Sequence, residues 1–594
     1  MKYKPTTLIN LLDNAISQYP ADSLISAKKD DAWSKTAMDS FRKQINDFAV
    51  GLYVLGVRPG DRVSIHSENS TRWLICDLAV LSLGAVTIPV YTTQPGNQIR
   101  YILENSETKI HIVSGYQLFR NTGTVISSVK SIKTVISLEA PRQEGLKNYD
   151  GVLKLGQDQL GKEPGLLKDL KRNIRPESLA TIIYTSGTTG TPKGVMLTHN
   201  NIASNIQASL ERVPFTMEEI RGQNVLSYLP LSHIFERMIT YMYLVMGARI
   251  HYIDRLDDIR EDFLHVRPFF FATVPRLLEK IQTGIKLKGQ EFKGLRKHFY
   301  YWTLKQAGKY DPENPPSGIG AFIYRIADKT VYSSIRELFG GNLRGMISGG
   351  AALSPDLFRF INAMGVYCGQ GYGLTETSPV VAVQNRELMR IGSCGKALTD
   401  VKIKIAGDNE ILVRGPNVMK GYYGDPIRTG EVITEDGWFK TGDVGRMDSD
   451  GYLFITDRKK ALFKLSTGKY IAPQHVESQL ESSGYIEQAV VIGYQKKFCS
   501  ALIVPAYANV RKRLGREGHV PDEPPNDDRD VRELIQAEVE KVNKNLSPWE
   551  KVKKFTLLER PLSIESGELT PTLKIKKAVV SEKYRKEIEA MYEE

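Results

Sequence analysis

The sequence predicts an α/β protein: a large layered amino-terminal domain followed by a small α+β domain. Three observations carry this. Short apolar runs of strand length alternate with helix-period segments over about the first 440 residues. The alternation changes character after Asp457-Arg-Lys-Lys460, and a compact strand-and-helix pattern then runs to the end. In chain order, Leu8–Ile16 has apolar residues at helical spacing. Arg62–Ile65, Ala85–Val90, Ile110–Val113 and Leu179–Ile183 are apolar or β-branched runs and predict strands, as do Ile250–Ile253 and Phe269–Thr273. Met238–Met246 is the longest apolar run, too short and too interrupted to span a bilayer. Asp311–Pro316 and Pro521–Asp530 are rich in proline and acid and predict loops. Beyond the boundary, Pro473–Ser482 predicts a helix with Val476 and Leu480 on one face. Ala489–Ile492 and Ala501–Pro505 predict strands, and Asp530–Asn545 a charged helix. The expected division is 1–457, a joint at 458–461, and 462–594. No internal repeat or low-complexity tract interrupts it.

Composition narrows the function classes. The 594 residues are 41% hydrophobic and 25% charged, as in ordinary globular proteins. Cys76, Cys368, Cys394 and Cys499 lie far apart with no C-x-x-C pair, against a zinc site or disulfide framework and in keeping with a reducing compartment. The start, Met1-Lys-Tyr-Lys-Pro5, has no secretory apolar core, so a cytoplasmic protein is expected. The net charge of +12 admits nucleic acid, anionic membrane or anionic cofactor as partners. Part of it gathers at 280–309, where Lys286, Lys293, Arg296 and Lys305 are among the cations interleaved with Phe299, Tyr300, Tyr301 and Trp302. The plainer reading is a solvated helical face whose aromatics belong to the core. The other is peripheral docking at the inner face of a membrane.

The most informative stretch is Tyr184-Thr-Ser-Gly-Thr-Thr-Gly-Thr-Pro-Lys-Gly-Val195. Its strand-like lead-in runs directly into Thr185, Ser186, Gly187, Thr188, Thr189 and Gly190, with Lys193 close behind. Glycines let backbone N–H groups approach an anion, hydroxyls add donors and the lysine adds a mobile positive charge. This predicts a phosphate-gripping loop. It is not a Walker A loop, because Gly194 and not a hydroxyl follows the lysine.

Further runs follow: Ser227-Tyr-Leu-Pro-Leu-Ser-His-Ile-Phe-Glu-Arg237, Ser348-Gly-Gly-Ala351, Gly369-Gln-Gly-Tyr-Gly-Leu-Thr-Glu-Thr377, Gly415-Pro-Asn-Val-Met-Lys-Gly-Tyr-Tyr423, Gly437-Trp-Phe-Lys-Thr-Gly-Asp443 and Asp457-Arg-Lys-Lys460. In kind and order they resemble the adenylate-forming (AMP-binding) superfamily over nearly the whole chain. With Leu465-Ser-Thr-Gly-Lys-Tyr470 and Leu569-Thr-Pro-Thr-Leu-Lys574, they are most similar to the long-chain fatty acid–CoA ligases. Ala461, where relatives usually carry an acid, is the visible departure.

The resemblance implies β-sheets flanked by helices, a distorted β-barrel and a mobile carboxy-terminal domain. It also implies roles. Gly349, Gly350, Gly371, Tyr372 and Gly373 would surround the nucleotide, with Tyr372 stacking on adenine. Thr375 would donate to a phosphate and Glu376 hold Mg²⁺. Asp443 and Arg458 would take the ribose, and Lys193 with Thr188 the phosphates. His233 would place the acid without moving a proton, since a carboxylate is already ionised at neutral pH. Lys574 would hold the α-phosphate, although Lys576 could register there instead. The small domain would swing about Lys460. In its second orientation Gly468 would line the coenzyme A tunnel, where a side chain should block the thiol and spare adenylation. The reaction implied is adenylation of a fatty acid by MgATP and transfer to coenzyme A. A carrier protein as acceptor and a non-catalytic nucleotide- or membrane-binding protein are the alternatives. Nucleic acid is not expected, because it would account for the charge but for none of the ordered motifs.

Overall fold

The computed structural model describes the chain apart from residues 1–3, 21–22, 141–144, 186–190, 254, 256–258, 388, 460, 517–527, 572 and 594. The chain divides into two compact units. The first comprises Met1–Lys404, Leu412–Lys440 and Ser449–Leu453; the second comprises Ile405–Ile411, Thr441–Asp448 and Phe454–Glu594.

The first unit is layered α/β, as the alternation predicts. An eight-stranded sheet runs from Gly421–Tyr422 at one edge through Lys193–Thr198, Leu179–Thr185, Val86–Val90, Arg62–His66 and Ile110–Val113 to Thr134–Ser137 and Lys147–Asn148. Most of it is parallel, with Val63 opposite both Thr87 and Ile110. Its central strands are buried on both faces, which is why they read as unbroken apolar runs. A nine-stranded sheet places Tyr367–Gly373, Gly345–Ser348, Phe270–Thr273, Asn224–Ser227 and Arg249–Tyr252 side by side in parallel. The first helix, Leu8–Ser17, starts where Thr7 Oγ1 accepts from the Asn10 N–H at 3.1 Å, and it buries Leu8, Leu12 and Ile16. Helix Ile234–Met246 is buried on nearly every side, and apart from Glu236, Arg237 and Thr240 its side chains are apolar or aromatic. Among the described residues no helix is long and apolar enough to cross a membrane.

The second unit packs the sheet Ile486–Ile492, Cys499–Pro505 and Val552–Leu557 against Pro473–Glu481 and Arg529–Asn543. Val531, Ile535, Val539 and Val542 form the buried stripe of the last helix, and Asp528 caps it. The loop expected over Pro521–Asp530 lies outside the described residues at 521–527 and has become helix by Arg529. Asp311–Pro316 contains no helix or strand. The basic segment splits the plainer reading of its aromatics. Tyr300 is buried, but Phe299 and Trp302 face solvent.

Candidate active site

The strand before the expected phosphate loop ends at Thr185, and the chain returns as the neighbouring antiparallel strand at Lys193. Thr185 faces Lys193, and Tyr184 faces Gly194. The ends of the loop are therefore fixed by a hydrogen-bonded ladder. Ser186, Gly187, Thr188, Thr189 and Gly190 lie outside the described residues. Beside the ladder, Tyr184 donates its hydroxyl to Asn105 Oδ1 at 2.6 Å.

The structure brings Lys193 and Glu376 together through a residue that the sequence reading left without a role. Strand Gly421–Tyr422 pairs with the strand that Lys193 begins, Tyr422 opposite Val195. The Lys193 ammonium stands 5.2 Å from the centre of the Tyr422 ring. The Tyr422 hydroxyl donates to Glu376 Oε1 at 3.0 Å. Burial, reinforced by the Glu376 charge, pushes the Tyr422 phenol well above its ordinary pKa, so it remains a donor. Glu376 occupies a single 3₁₀ turn, Thr375–Thr377, and its carbonyl accepts from the Met419 N–H at 2.9 Å. Asn417 Nδ2 donates to the carbonyls of Thr377 and Val380, while Asn201 Nδ2 donates to those of Pro416 and Val418. The segment around Tyr422 is thus sewn both to the Glu376 turn and to helix His199–Leu210.

Among the described residues no cluster of three or more His, Cys, Asp or Glu could cage a metal. Glu376 is a single half-buried carboxylate. That donor set suits Mg²⁺, which keeps waters and shares its shell with substrate phosphates, and does not suit a caged ion.

The glycine-rich runs leave the carboxyl ends of adjacent parallel strands, Ser348 lying opposite Gln370. In open α/β sheets such ends form the ligand crevice. Tyr372 is buried in the strand that carries it. A Cβ on Gly373 would sit 1.8 Å from the Pro379 carbonyl oxygen, so only glycine allows this close approach. A Cβ on Gly349 would come within 3.0 Å of the Phe235 ring, which places the His233 segment beside Gly349 and the exposed Gly350. Gly371 and Thr375 flank Tyr372 and Gly373 in the same run.

His233 caps helix Ile234–Met246, its Nδ1 accepting from the Phe235 N–H at 3.2 Å. An accepting Nδ1 places the proton of the neutral ring on Nε2. Asn69 holds the approach to this cap, accepting from the Leu231 N–H and donating to the Leu229 carbonyl. One turn on, Arg237 is fully buried. Its Nε donates to Asp77 Oδ2 at 3.0 Å, Nη1 donates to Thr181 Oγ1 at 2.8 Å, and Nη2 meets Asp77 Oδ1. Adjacent Glu236 is also buried, but neither of its carboxylate oxygens has a hydrogen-bond partner among the described residues. Burial pushes its pKa up to about 8.

In the second unit Arg458 Nε meets Asp443 Oδ1 at 3.1 Å, so the two expected ribose ligands hold one another. Lys459, not assigned a role from sequence, bridges Asp408 at 2.6 Å and Glu410 at 2.8 Å, while Glu410 also accepts from the Gly442 N–H. This locks Gly442 and Asp443, within strand Phe439–Met447, to residues 408–410. Lys460 lies outside the described residues. Gly468 has a φ of +86°, so any side chain there strains the turn before it obstructs anything. The tail lysines differ in environment. Lys577 is committed to Glu477 at 2.7 Å, and Lys576 is half-buried. Lys574 is exposed, with its N–H donating to Thr570 Oγ1 at 3.0 Å.

Comparisons with known proteins converge on one family. A family model described as AMP-binding enzyme matches residues 12–423, and one described as AMP-binding enzyme C-terminal domain matches 461–594. The chain is 33% identical over 570 residues to a long-chain-fatty-acid–CoA ligase of Mycobacterium bovis, covering 95% of this chain and 93% of that one. It is 29% identical to a chloroplastic long-chain-fatty-acid–[acyl-carrier-protein] ligase of Arabidopsis thaliana, covering 94% of this chain and 83% of the relative. The crystal structure of a carboxylate reductase adenylation domain from Mycobacterium chelonae shares the fold, with a TM-score of 0.76 at 23% identity. That match covers 100% of this chain and 92% of the other. These matches lead to one conclusion: the chain belongs to the AMP-binding enzyme family.

Proposed function

We propose that this protein is an AMP-forming ligase that activates a long-chain fatty acid with ATP and transfers the acyl group to coenzyme A. The observation that carries the reading is the Lys193–Tyr422–Glu376 set, a cation and a carboxylate joined through one tyrosine beside the loop that runs from Thr185 to Lys193. The name of the 33%-identical ligase supports the choice of acid and acceptor.

The acid carboxylate attacks the α-phosphorus of ATP, a new C–O–P linkage forms, and the bond to pyrophosphate breaks. The protein positions the reactants and neutralises charge, because there is little covalent work to do. Lys193, with Thr185, Ser186, Gly187, Thr188, Thr189 and Gly190, grips the phosphates. Mg²⁺ held by Glu376 would supply further charge neutralisation there. Tyr372 with Gly349, Gly350, Gly371 and Gly373 receives the adenosine, Thr375 donates to phosphate, and Asp443 and Arg458 take the ribose. His233 places the acid. Lys574, which is exposed, neutralises the α-phosphate, and half-buried Lys576 is the alternative in register. The small domain, 462–594, turns about Lys460 between the half-reactions. It then brings Gly468 to the coenzyme A thiol, which attacks the mixed anhydride and releases AMP. Contact of the basic segment 280–309 with a membrane would suit a lipid substrate.

The acyl-carrier-protein ligase among the relatives keeps a second acceptor in play. A mass-spectrometric product assay decides between them, using MgATP and a ladder of fatty acids with and without coenzyme A. Acyl-CoA that requires coenzyme A and peaks at long chains is the expected result. Acyl-AMP that accumulates and never reaches coenzyme A would move the acceptor to a carrier protein, and no adenylate with any acid would overturn the reading.

A further inference from the structure

We propose that helices Gly294–Ala307 and Gly318–Ala327 form a docking surface for an anionic lipid bilayer. Helix Gly294–Ala307 carries apolar side chains on two faces. Tyr300, Leu304 and Ala307 are buried, whereas Leu295 (88% exposed), Phe299 and Trp302 form a second stripe open to solvent at i, i+4 and i+7. The Phe299 and Trp302 rings stack at 5.7 Å within that stripe. The next helix repeats the arrangement. Ala327 is buried, while Ile319 (81% exposed), Phe322 (64%) and Ile326 face water at i, i+3 and i+7. Both helices pack on one core cluster, and the π-helical turn that continues the second donates the Tyr332 hydroxyl to the Thr303 carbonyl of the first at 3.1 Å. An apolar surface concentrated in this way on a folded chain marks a contact site.

The charges around the stripes identify the occupant. Lys293, Arg296, Lys305, Lys309, Arg325 and Lys329 are all exposed. Helical spacing sets Arg296 to one side of the first stripe and Lys305 to the other. Two nearby acids are directed elsewhere, Glu313 to Arg390 at 3.1 Å and Asp328 to Arg336 at 2.5 Å. Apolar and aromatic stripes bordered by cations fit the boundary between anionic headgroups and acyl chains. The biological purpose rests on the proposed fatty-acid substrate, but the binding itself does not.

The test is co-sedimentation of the full chain with vesicles of phosphatidylcholine alone or mixed with phosphatidylglycerol, at low and high salt, without ATP or acid. Binding to the mixed vesicles is expected. Leu295→Ser/Trp302→Ser and Ile319→Ser/Phe322→Ser should each weaken it about tenfold or more. Lys293→Gln/Arg296→Gln/Lys305→Gln should remove the preference for phosphatidylglycerol. These side chains face solvent, so thermal unfolding midpoints close to the parent are expected and serve as the folding control. Absence of binding, or binding that the serine variants leave intact, would overturn the proposal, the latter leaving only adsorption of a basic protein. Self-association lost in the serine variants, with no vesicle binding, would assign the stripes to a second copy and also overturn it. Because no ligase activity is read, failure of the substrate reading would appear in the product assay and not here.

Discussion

The Asp77 and Arg237 side chains are both 0% exposed, whereas Asp443 is buried at 5% and its partner Arg458 stands 51% in solvent. The first pair is closed on itself. Tyr241, Thr181 and Thr87 complete its hydrogen bonds, so helix Thr71–Ser82, two neighbouring strands and helix Ile234–Met246 share one network. Removing one member leaves a charge buried without its partner, which is costly. In the second pair the Arg458 Nε contact joins a buried carboxylate to a half-hydrated guanidinium, and water screens that attraction. An ion pair of the first kind holds a fold, and one of the second kind can be opened by a ligand that offers hydroxyls.

The largest expected effect breaks the closed pair. Arg237→Met should lower stability by about 3–5 kcal/mol, and Arg458→Met by under about 1 kcal/mol; denaturant midpoints compare them, and equal losses would erase the distinction. Next, Asp443→Asn should slow adenylate formation about 100-fold with little change in midpoint. Pyrophosphate release with a saturating acid measures it, and a loss of stability in proportion to activity would make Asp443 structural.

Glu236, the neighbour of Arg237, sharpens the contrast because it is buried and, among the described residues, pairs with no cation. Its folded pKa of about 8 lies above the ordinary 4.5, so the folded protein keeps a proton that the unfolded chain has released. Its contribution to stability is complete below the lower value and is lost as pH rises through the upper one, at no more than about 1.4 kcal/mol per pH unit. Urea midpoints between pH 5 and 8 should fall less steeply in Glu236→Gln than in the parent, and identical slopes would show that Glu236 is ionised or solvated. The smallest effect is at Tyr422→Phe. Loss of one hydrogen bond to Glu376 should cost about 1 kcal/mol, seen as a higher Mg²⁺ requirement for adenylation; an unchanged requirement would remove Tyr422 from the site.

Much of this was legible in the sequence. Strand Leu179–Thr185 reads as an apolar run, and Gly373 stands in a pattern whose physical reason, the Pro379 carbonyl at its α-carbon, emerges only on folding. What escaped depended on direction and partner. Tyr422 and Tyr423 are adjacent and chemically identical, and only the ladder with Val195 decides which ring meets Lys193. Lys459 looks like any basic residue until Asp408 and Glu410 arrive from a distant strand and turn. Glu236 and Arg237 are consecutive charges on a buried helix, and the sequence does not say that Asp77 pairs with Arg237 while no cation among the described residues pairs with Glu236. Helix Gly318–Ala327 has the composition of a core element, yet Ile319, Phe322 and Ile326 face out, because periodicity marks a face without saying what covers it.

Strand Gly421–Tyr422 is two residues long and lies at the edge of its sheet, whereas Lys193–Thr198 is flanked on both sides. In the time domain, the two halves of the proposed phosphate site therefore differ. Edge amides open by local fluctuation, and interior ones only with larger units. The Tyr423 N–H, bonded to the Gly194 carbonyl, should exchange with deuterium well before the Val195 N–H. A nucleotide held between Lys193 and Glu376 should slow that exchange, making the Tyr423 amide a clock for occupancy that needs no turnover.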